Sequence, residues 1–296
     1  MLNVIAILLF FFTILSMAIL LHVRILSGEP YTLSLSGAGP FVDNMTIILV
    51  CFPKSGKGGI STLRSFLEYS PNIIQFRVLV CFDGYNIEKK NKNLHPSCIQ
   101  TTLTQDIYQQ YQQDVEAYLR QKWQPDRWAT IVLPHRVCLA GVIRHCMSRV
   151  ETKYVLLLQD EQRLVKNLDF SLVTRAMENI GANYVLFDTD TYQEHIKKRC
   201  RSSTFRTPIR IAQDLVLEKA RAFGDSTQVA TKGFYHRIAL YAMRTTPYTS
   251  PSVSLHCLPD RTDRDDMYVS VNDYVDIHRY SPMRSDSDAE AELGVS

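Results

Sequence analysis

The sequence predicts an α/β domain with a mostly parallel central sheet and flanking helices, extending from residue 44 to residue 280. Residues 46–52, 76–82 and 154–158 are mainly apolar runs, which are typical of strands buried on both faces. Amphipathic stretches separate these runs. Because strands alternate with helices, we expect βαβ units with right-handed parallel crossovers.

The remaining elements follow from the same patterns. The predicted helices cover residues 60–69, 105–123 and about 139–150. Short strands are predicted at residues 129–133 and 183–187. Residues 207–223 predict a further helix, whereas residues 234–243 and 267–277 are apolar enough to pack but show no clear period. The small, polar and acidic residues 281–296 predict a disordered tail.

Residues 1–23 predict a transmembrane anchor. Residues 2–21 are almost wholly apolar, and roughly 20 such residues in a helix span a hydrocarbon core of ~30 Å. A cleaved signal peptide has a shorter apolar region of ~7–15 residues and a basic start, which this run lacks. We therefore predict one membrane-spanning helix, followed by a stem at residues 24–43.

The features that bear on the compartment point in different directions. Arg24 follows the apolar run and favours a cytosolic C-terminal part under the positive-inside rule. The glycosylation sequon at residues 44–46 favours a lumen instead. Three cysteines in polar contexts could pair in an oxidising lumen: Cys98, Cys200 and Cys257. Three others fall on apolar faces and are predicted to be small core residues: Cys51, Cys81 and Cys146.

The overall charge argues against one class of partner. A formal net charge of +3 over 296 residues gives no strongly basic surface, and no basic–aromatic pattern of nucleic-acid recognition is found. We therefore expect no nucleic acid as a partner.

Polar residues follow two of the predicted strands. The segment TKYVLLLQDE at residues 152–161 changes abruptly from apolar residues to Gln159, Asp160 and Glu161, and Asp83 follows the strand at 76–82. In open α/β sheets, ligands bind outside the carboxyl ends of the strands. Such residues therefore predict a binding site at that edge of the sheet.

Together with the helix that bears Arg144, these residues resemble a GT-A-type glycosyltransferase, the Rossmann-like nucleotide-sugar-binding fold of the family 2 enzymes. LAGVIRHCMSRVETKYVLLLQDE is similar to the family's segment from a helix to an acidic DxD-type motif. The resemblance covers roughly residues 46–165. It implies transfer of a sugar from a nucleotide-sugar donor to a glycan or glycoconjugate acceptor, by an enzyme anchored in a Golgi or ER membrane with a lumenal catalytic domain.

The resemblance also implies a metal site. Carboxylates in the acidic motif would hold Mn²⁺ or Mg²⁺, which stabilises the negative charge on the departing diphosphate. Glu161 is the first candidate ligand and Asp160 the second, because Gln159 stands where the family usually has its first acid. His278 resembles a late histidine that completes the metal site in some GT-A enzymes.

Substrate contacts and a general base are implied in the same way. Asp83 would contact the base or ribose, Arg144 the phosphate or donor ribose, and Asp160 the nucleotide sugar. Asp265 or Asp266 would act as the general base on the acceptor hydroxyl. Two alternatives stay open, since Asp83 can be a local turn residue before Gly84 and Arg144 an exposed helix arginine.

The sequence leaves two other functions open. The segment PKSGKGG at residues 53–59 resembles the phosphosulfate-binding loop of carbohydrate sulfotransferases, in which backbone N–H groups at a helix N-terminus bind a phosphate. Lys57 replaces the Ser or Thr that follows the glycine in that motif. The third possibility is a membrane-anchored glycan-binding protein that keeps the fold without activity.

Overall fold

The computed structural model describes much of the predicted α/β domain. The described residues are 31–32, 44–53, 58–87, 101, 103–160, 162–187, 209–211, 215–219, 222–223, 227–236, 256–257, 267–270 and 275–277. The predicted anchor at residues 1–23 and the predicted tail at residues 281–296 lie outside them. Within the described part, no helix is long and apolar enough to cross a membrane.

The centre of the domain is a mixed, mostly parallel sheet of ten strands. In chain order, they are β1 (Tyr31–Thr32), β2 (Met45–Cys51), β3 (Arg77–Phe82), β4 (Trp128–Val132), β5 (Tyr154–Gln159), β7 (Tyr184–Leu186), β8 (Ile209–Arg210), β9 (Val216–Lys219), β11 (Gln228–Thr231) and β13 (Met267–Ser270). Their spatial order is β1-β8-β9-β13-β7-β11-β5-β2-β3-β4. The strands β5, β2, β3 and β4 are mutually parallel, and β11 runs antiparallel between β5 and β7.

Two small sheets accompany the large one. β6 (Gln162–Leu164) pairs antiparallel with β14 (Val275–Ile277), and β10 (Ala222–Phe223) pairs antiparallel with β12 (His256–Cys257). Since β6 follows directly after β5 in the chain, the β6–β14 pair lies at the carboxyl end of β5.

Helices cover both faces of the large sheet. Their bounds are α1 (Gly58–Tyr69), α2 (Gln105–Lys122), α3 (Cys138–Met147), α4 (Phe170–Ile180) and the short α5 (Lys232–Phe234), with a 3-10 helix at Pro71–Gln75. Side chains of α1, α2 and α4 pack with Ile47 and Leu49 of β2 in one core cluster. Those of α3 pack with Ile48 and Val50 in a second cluster. Because side chains alternate along a strand, β2 contributes to both layers, which explains its uninterrupted apolar sequence.

The ends of α2 and α4 have local causes. The Thr104 side chain accepts a hydrogen bond from the backbone N–H of Ile107 and caps α2, and Asp169 caps α4 through the N–H of Ser171. α4 ends at Gly181, whose φ of 68° is the left-handed conformation that glycine adopts readily at helix C-termini. The sequence reasoning did not predict α4, although this Asp and Gly mark both of its ends.

From β2 to β5 the structure confirms the predicted order of strands and helices, whereas one later prediction was wrong. The helix expected within residues 207–223 is not found, since the described residues of that segment form β8, β9 and β10. β9 pairs antiparallel with β13, which lies almost 50 residues further along the chain. Such a distant partner leaves no signal in local periodicity.

The cysteines differ from the sequence prediction at two positions. Cys81 on β3 and Cys146 on α3 are core residues, as predicted, but they also form a disulfide that was not predicted, with a Cα–Cα distance of 6.7 Å. Both side chains are fully buried between the sheet and α3. Cys138 is also disulfide-bonded, whereas Cys51 is a buried free thiol as predicted. The disulfide therefore fastens α3 to the sheet.

We expect a Cys81→Ala/Cys146→Ala double variant to lose about 2–4 kcal/mol of unfolding free energy. The cross-link joins residues separated by 65 positions, so its removal releases a long loop in the unfolded chain. Denaturant unfolding would measure the loss, and peptide mapping without reductant should recover the linked pair from the wild type. Recovery of Cys81 and Cys146 only as free thiols would contradict this expectation.

Candidate active site at the carboxyl edge of the sheet

The connectivity places a crevice between β2 and β5. The chain passes from β2 to β3 and β4 through α1 and α2 on one face, and then returns through α3 on the other face to β5. The strand order thus reverses at β2, since β3 and β4 lie on one side of it and β5 lies on the other. Ligands of open α/β sheets bind outside the carboxyl ends of the strands at such a switch point.

Asp160 lies across this crevice. It follows β5 directly, its backbone N–H donates to the carbonyl oxygen of Val50 at 3.0 Å, and its Oδ2 accepts from the backbone N–H of Phe52 at 2.9 Å. The residue is 2% exposed. A carboxylate is thereby held at the carboxyl ends of β2 and β5.

Asp83 follows β3 and caps a helix that is distant in sequence. Its Oδ1 accepts from the N–H groups of Gly84 and Val137 at 2.9 and 2.8 Å, and its Oδ2 accepts from the N–H of Cys138 at 3.1 Å. Val137 is the N-cap of α3 but supplies no capping side chain. The carboxylate of Asp83 therefore does what a local Ser or Asp usually does at a helix N-terminus.

The backbone at Cys138 fits this capping. Its φ is 60°, a conformation that is uncommon for residues other than glycine. Consecutive amides that converge on one anion form the kind of concavity known as a nest. Burial raises the pKa of Asp83, although the three amides and the nearby guanidinium of Arg136 act in the opposite direction. The predicted contact of Asp83 with base or ribose stays a prediction, and its carboxylate already has three partners in the protein.

Two tyrosines of α2 contact the carboxyl ends of β2 and β3. The Tyr108 hydroxyl donates to the backbone oxygen of Asp83 at 2.8 Å. The Tyr111 hydroxyl accepts from the N–H of Gly59 at 2.8 Å and donates to the Sγ of Cys51 at 3.4 Å. Burial raises the pKa of both phenols and of the thiol, so all three are neutral at physiological pH. The two phenols and the thiol are therefore structural groups next to these strand ends.

A second set of polar side chains lies beyond β5. The Oε1 of Gln162 accepts from the N–H of Gln159 and from the hydroxyl of Thr227, and both Gln162 and Thr227 are buried. In the β6–β14 pair, Gln162 lies opposite Ile277. Gln162 is the residue after Glu161, and Ile277 is the residue before His278.

Several predicted site residues lie outside the described part of the chain, namely Glu161, Asp265, Asp266 and His278. Among the described residues, no group of three or more His, Cys, Asp or Glu side chains could hold a metal ion. The metal ligands therefore remain predictions.

The register of β13 bears on the predicted general base. Met267, its first residue, pairs with Tyr184, and both Tyr184 and Val155 pair with Ala230. Met267 is thus level with the beginning of β5, about 16 Å along the strand from Asp160. Asp265 and Asp266 lie outside the described residues, so their role as the base stays a prediction.

Arg144 lies in the last turn of α3 and is exposed. It is six residues beyond Cys138, or roughly 9 Å along the helix axis from the end capped by Asp83. The structure does not test its predicted contact with phosphate or ribose, which stays a prediction.

The sequence did not predict that four residues contribute to this part of the structure: Arg136, Tyr108, Tyr111 and Gln162. The tyrosines matched an amphipathic helix, and nothing in that pattern shows that their hydroxyls reach strand ends. Arg136 follows a predicted strand without any motif. A basic residue in a short strand–helix connection was the available signal, but surface loops often carry such residues.

Comparisons with known proteins give likeness in structure alone. No protein-family model and no curated protein matches the chain. Solved structures that are similar include GalNAc-T7 with UDP, GalNAc and Mn²⁺ at 8% identity and a TM-score of 0.46. Others are the mannosyltransferase PcManGT from Pyrobaculum calidifontis with GDP-Man and Mn²⁺, at 10% and 0.43, and S. aureus TarS with UDP-GlcNAc, at 10% and 0.44.

These matches cover most of this chain but about half of the others. They span 77%, 74% and 78% of this chain and 42%, 58% and 57% of the three solved chains, in the same order. Likeness at this level assigns neither an activity nor a substrate.

Proposed function

We propose that this chain is a glycosyltransferase, which moves a sugar from a nucleotide-sugar donor to a glycan or glycoconjugate acceptor. The observation that carries the proposal is the position of Asp160, which follows β5 where the strand order reverses and whose buried carboxylate accepts from the N–H of Phe52 after β2. A diphosphate that leaves during sugar transfer develops negative charge and needs positive groups or a metal beside it.

The pairing of β6 with β14 supports a metal beside the crevice. The facing residues Gln162 and Ile277 are chain neighbours of Glu161 and His278, respectively, and Asp160 precedes Glu161. Two carboxylates and an imidazole are a suitable donor set for Mn²⁺, and carboxylates with water suit Mg²⁺. We therefore propose Glu161, Asp160 and His278 as the residues that hold the ion. When bound, it would neutralise charge on the departing diphosphate.

A second observation separates this proposal from a sulfotransferase. In the sulfotransferase alternative, amides at the N-terminus of α1 would bind a phosphate. One of them, the N–H of Gly59, instead donates to the hydroxyl of Tyr111, which lies against Cys51 of β2. A Cβ at Gly59 would lie 2.5 Å from that hydroxyl, so the helix start is packed directly on α2. This use of the amide favours the glycosyltransferase.

We expect slow hydrolysis of a nucleotide-sugar donor by the purified full-length protein, dependent on Mn²⁺ or Mg²⁺ and lost with EDTA. Released nucleoside diphosphate would be measured with UDP-GlcNAc and GDP-Man as first donors. Transfer from a phosphosulfate donor without metal would support the sulfotransferase and overturn the proposal. Inactivity with every donor, combined with binding of a glycan, would favour the glycan-binding protein.

The compartment is also a proposal. A structural disulfide persists in oxidising compartments and is rare in the cytosol. Cys81–Cys146 therefore favours a catalytic domain in the ER or Golgi lumen over the cytosolic placement suggested by Arg24. We propose that residues 1–23 anchor the chain in that membrane. Glycosylation at Asn44, detected as a mass shift removed by an N-glycosidase, would support this orientation.

A further inference from the structure

Arg136 is buried in the connection between β4 and α3, where no established role requires a charge. It is 2% exposed and is the largest of the fully buried side chains in the described part of the chain. A buried guanidinium needs hydrogen-bond acceptors, because its removal from water is otherwise costly. Its acceptors therefore indicate what the side chain does.

Two acceptors of the Arg136 side chain belong to the turn that follows β3. The Nε of Arg136 donates to the backbone oxygen of Gly84 at 3.1 Å, and an Nη donates to that of Tyr85 at 3.3 Å. The backbone N–H of Arg136 donates to the oxygen of Asn86 at 2.8 Å. Asp83 of the same turn accepts from the next two amides, those of Val137 and Cys138. The connection between β4 and α3 thus forms hydrogen bonds with four consecutive residues, 83–86.

The two segments touch through their backbones. A Cβ at Gly84 would lie 2.1–2.5 Å from backbone atoms of His135, so no side chain fits between them. Asn86 and His135 also form an isolated parallel bridge. The half-buried ring of Tyr85 lies 6.2 Å from that of Tyr108, and its hydroxyl donates to the oxygen of Leu103. The turn therefore has one closely defined shape.

We propose that Arg136 is a positioning residue, which holds residues 83–86 in the shape that receives the nucleotide half of the donor. The turn follows β3, the neighbour of β2 at the carboxyl edge, and so forms the wall of the crevice on that side. A guanidinium suits this role because its fixed, planar donors reach two adjacent carbonyls, whereas an ammonium is a single point. This inference rests on the proposed function.

The test compares Arg136→Lys and Arg136→Gln with the wild type. Binding of UDP and GDP with Mn²⁺ would be measured by calorimetry, and local order by hydrogen exchange of the amides at residues 84–86 and 136–138. We expect Arg136→Lys to fold, to bind the nucleotide about tenfold more weakly, and to exchange faster at these amides alone. The donor KM should rise and kcat change little, since Arg136 touches backbone rather than reacting atoms.

Arg127→Lys is the matched control. The Nη1 of Arg127 also donates to a backbone carbonyl, that of Gln75 at 3.3 Å, but from a half-buried position before β4, at the opposite edge of the sheet. Its binding and exchange should equal those of the wild type.

The outcomes separate the two proposals. Unchanged exchange in both Arg136 variants would overturn the positioning role. Weaker nucleotide binding with unchanged exchange would replace it with a direct contact. A wild type that binds neither UDP nor GDP, with faster exchange in the variants, would overturn the proposed function while the positioning of the turn stands.

Discussion

Replacement of Glu161 by glutamine is expected to reduce sugar transfer by about 10²–10³-fold, with little change in stability. The change removes a negative charge from the proposed metal ligand and keeps the size of the side chain. The loss of one group that stabilises transition-state charge typically has an effect of this order. Turnover at saturating donor and Mn²⁺, together with thermal unfolding, would measure both quantities.

Glu151→Gln is the control for this prediction. Glu151 lies before β5, at the opposite edge of the sheet, where it forms an exposed ion pair with Arg77 at 2.9 Å. An exposed pair of this kind contributes little, so neither activity nor stability should change measurably. Wild-type turnover in Glu161→Gln would remove Glu161 from the site. If a higher concentration of Mn²⁺ restored turnover in Glu161→Gln, this result would support Glu161 as a metal ligand.

Asp83→Ala is expected to lower the free energy of unfolding by about 3 kcal/mol or more. The carboxylate accepts three backbone hydrogen bonds and is 1% exposed. Its removal leaves these amides without an acceptor, and each unsatisfied buried amide is destabilising by about 1–3 kcal/mol. Urea unfolding would give the change in free energy.

Asp169→Ala provides the comparison for a local cap. The Oδ1 of Asp169 accepts one bond, from the N–H of Ser171, in an exposed position at the start of α4. Its loss should be destabilising by about 1 kcal/mol. If Asp83→Ala were no worse than Asp169→Ala but nucleotide binding disappeared, the carboxylate would be a ligand of the base or ribose rather than the cap of α3.

The candidate site was predictable to different degrees for different residues. Asp160 was predicted because it directly follows a strand whose burial is visible in its apolar sequence. Arg136 was not, since the acceptors in Gly84 and Tyr85 lie about 50 residues earlier in the chain and these contacts depend on β4 being beside β3. For the same reason the hydrogen bonds from the amides of Val137 and Cys138 to Asp83 were not predicted, whereas its predicted contact with the donor stays a prediction.

The expected general base illustrates a different limit. Asp265 and Asp266 form part of an acidic cluster, and such a cluster has the same composition at either edge of a sheet. The direction of β13 is set by its parallel pairing with β7 and its antiparallel pairing with β9. Met267 is therefore level with the start of β5, whereas Asp265 and Asp266 lie outside the described residues and stay a prediction.

By itself, the sequence determined the α/β class, the order of β2 to β5 with the helices α1, α2 and α3 between them, and the presence of polar residues at strand ends. These features depend on local period and on burial, which neighbouring residues report. Only the tertiary structure decided that β5 returns beside β2, that Cys81 joins Cys146, and that Asp83 and Arg136 hold the turn and α3 together. Such contacts join residues about 50 to more than 100 positions apart, and their hydrogen bonds and covalent link form only when the sheet is assembled.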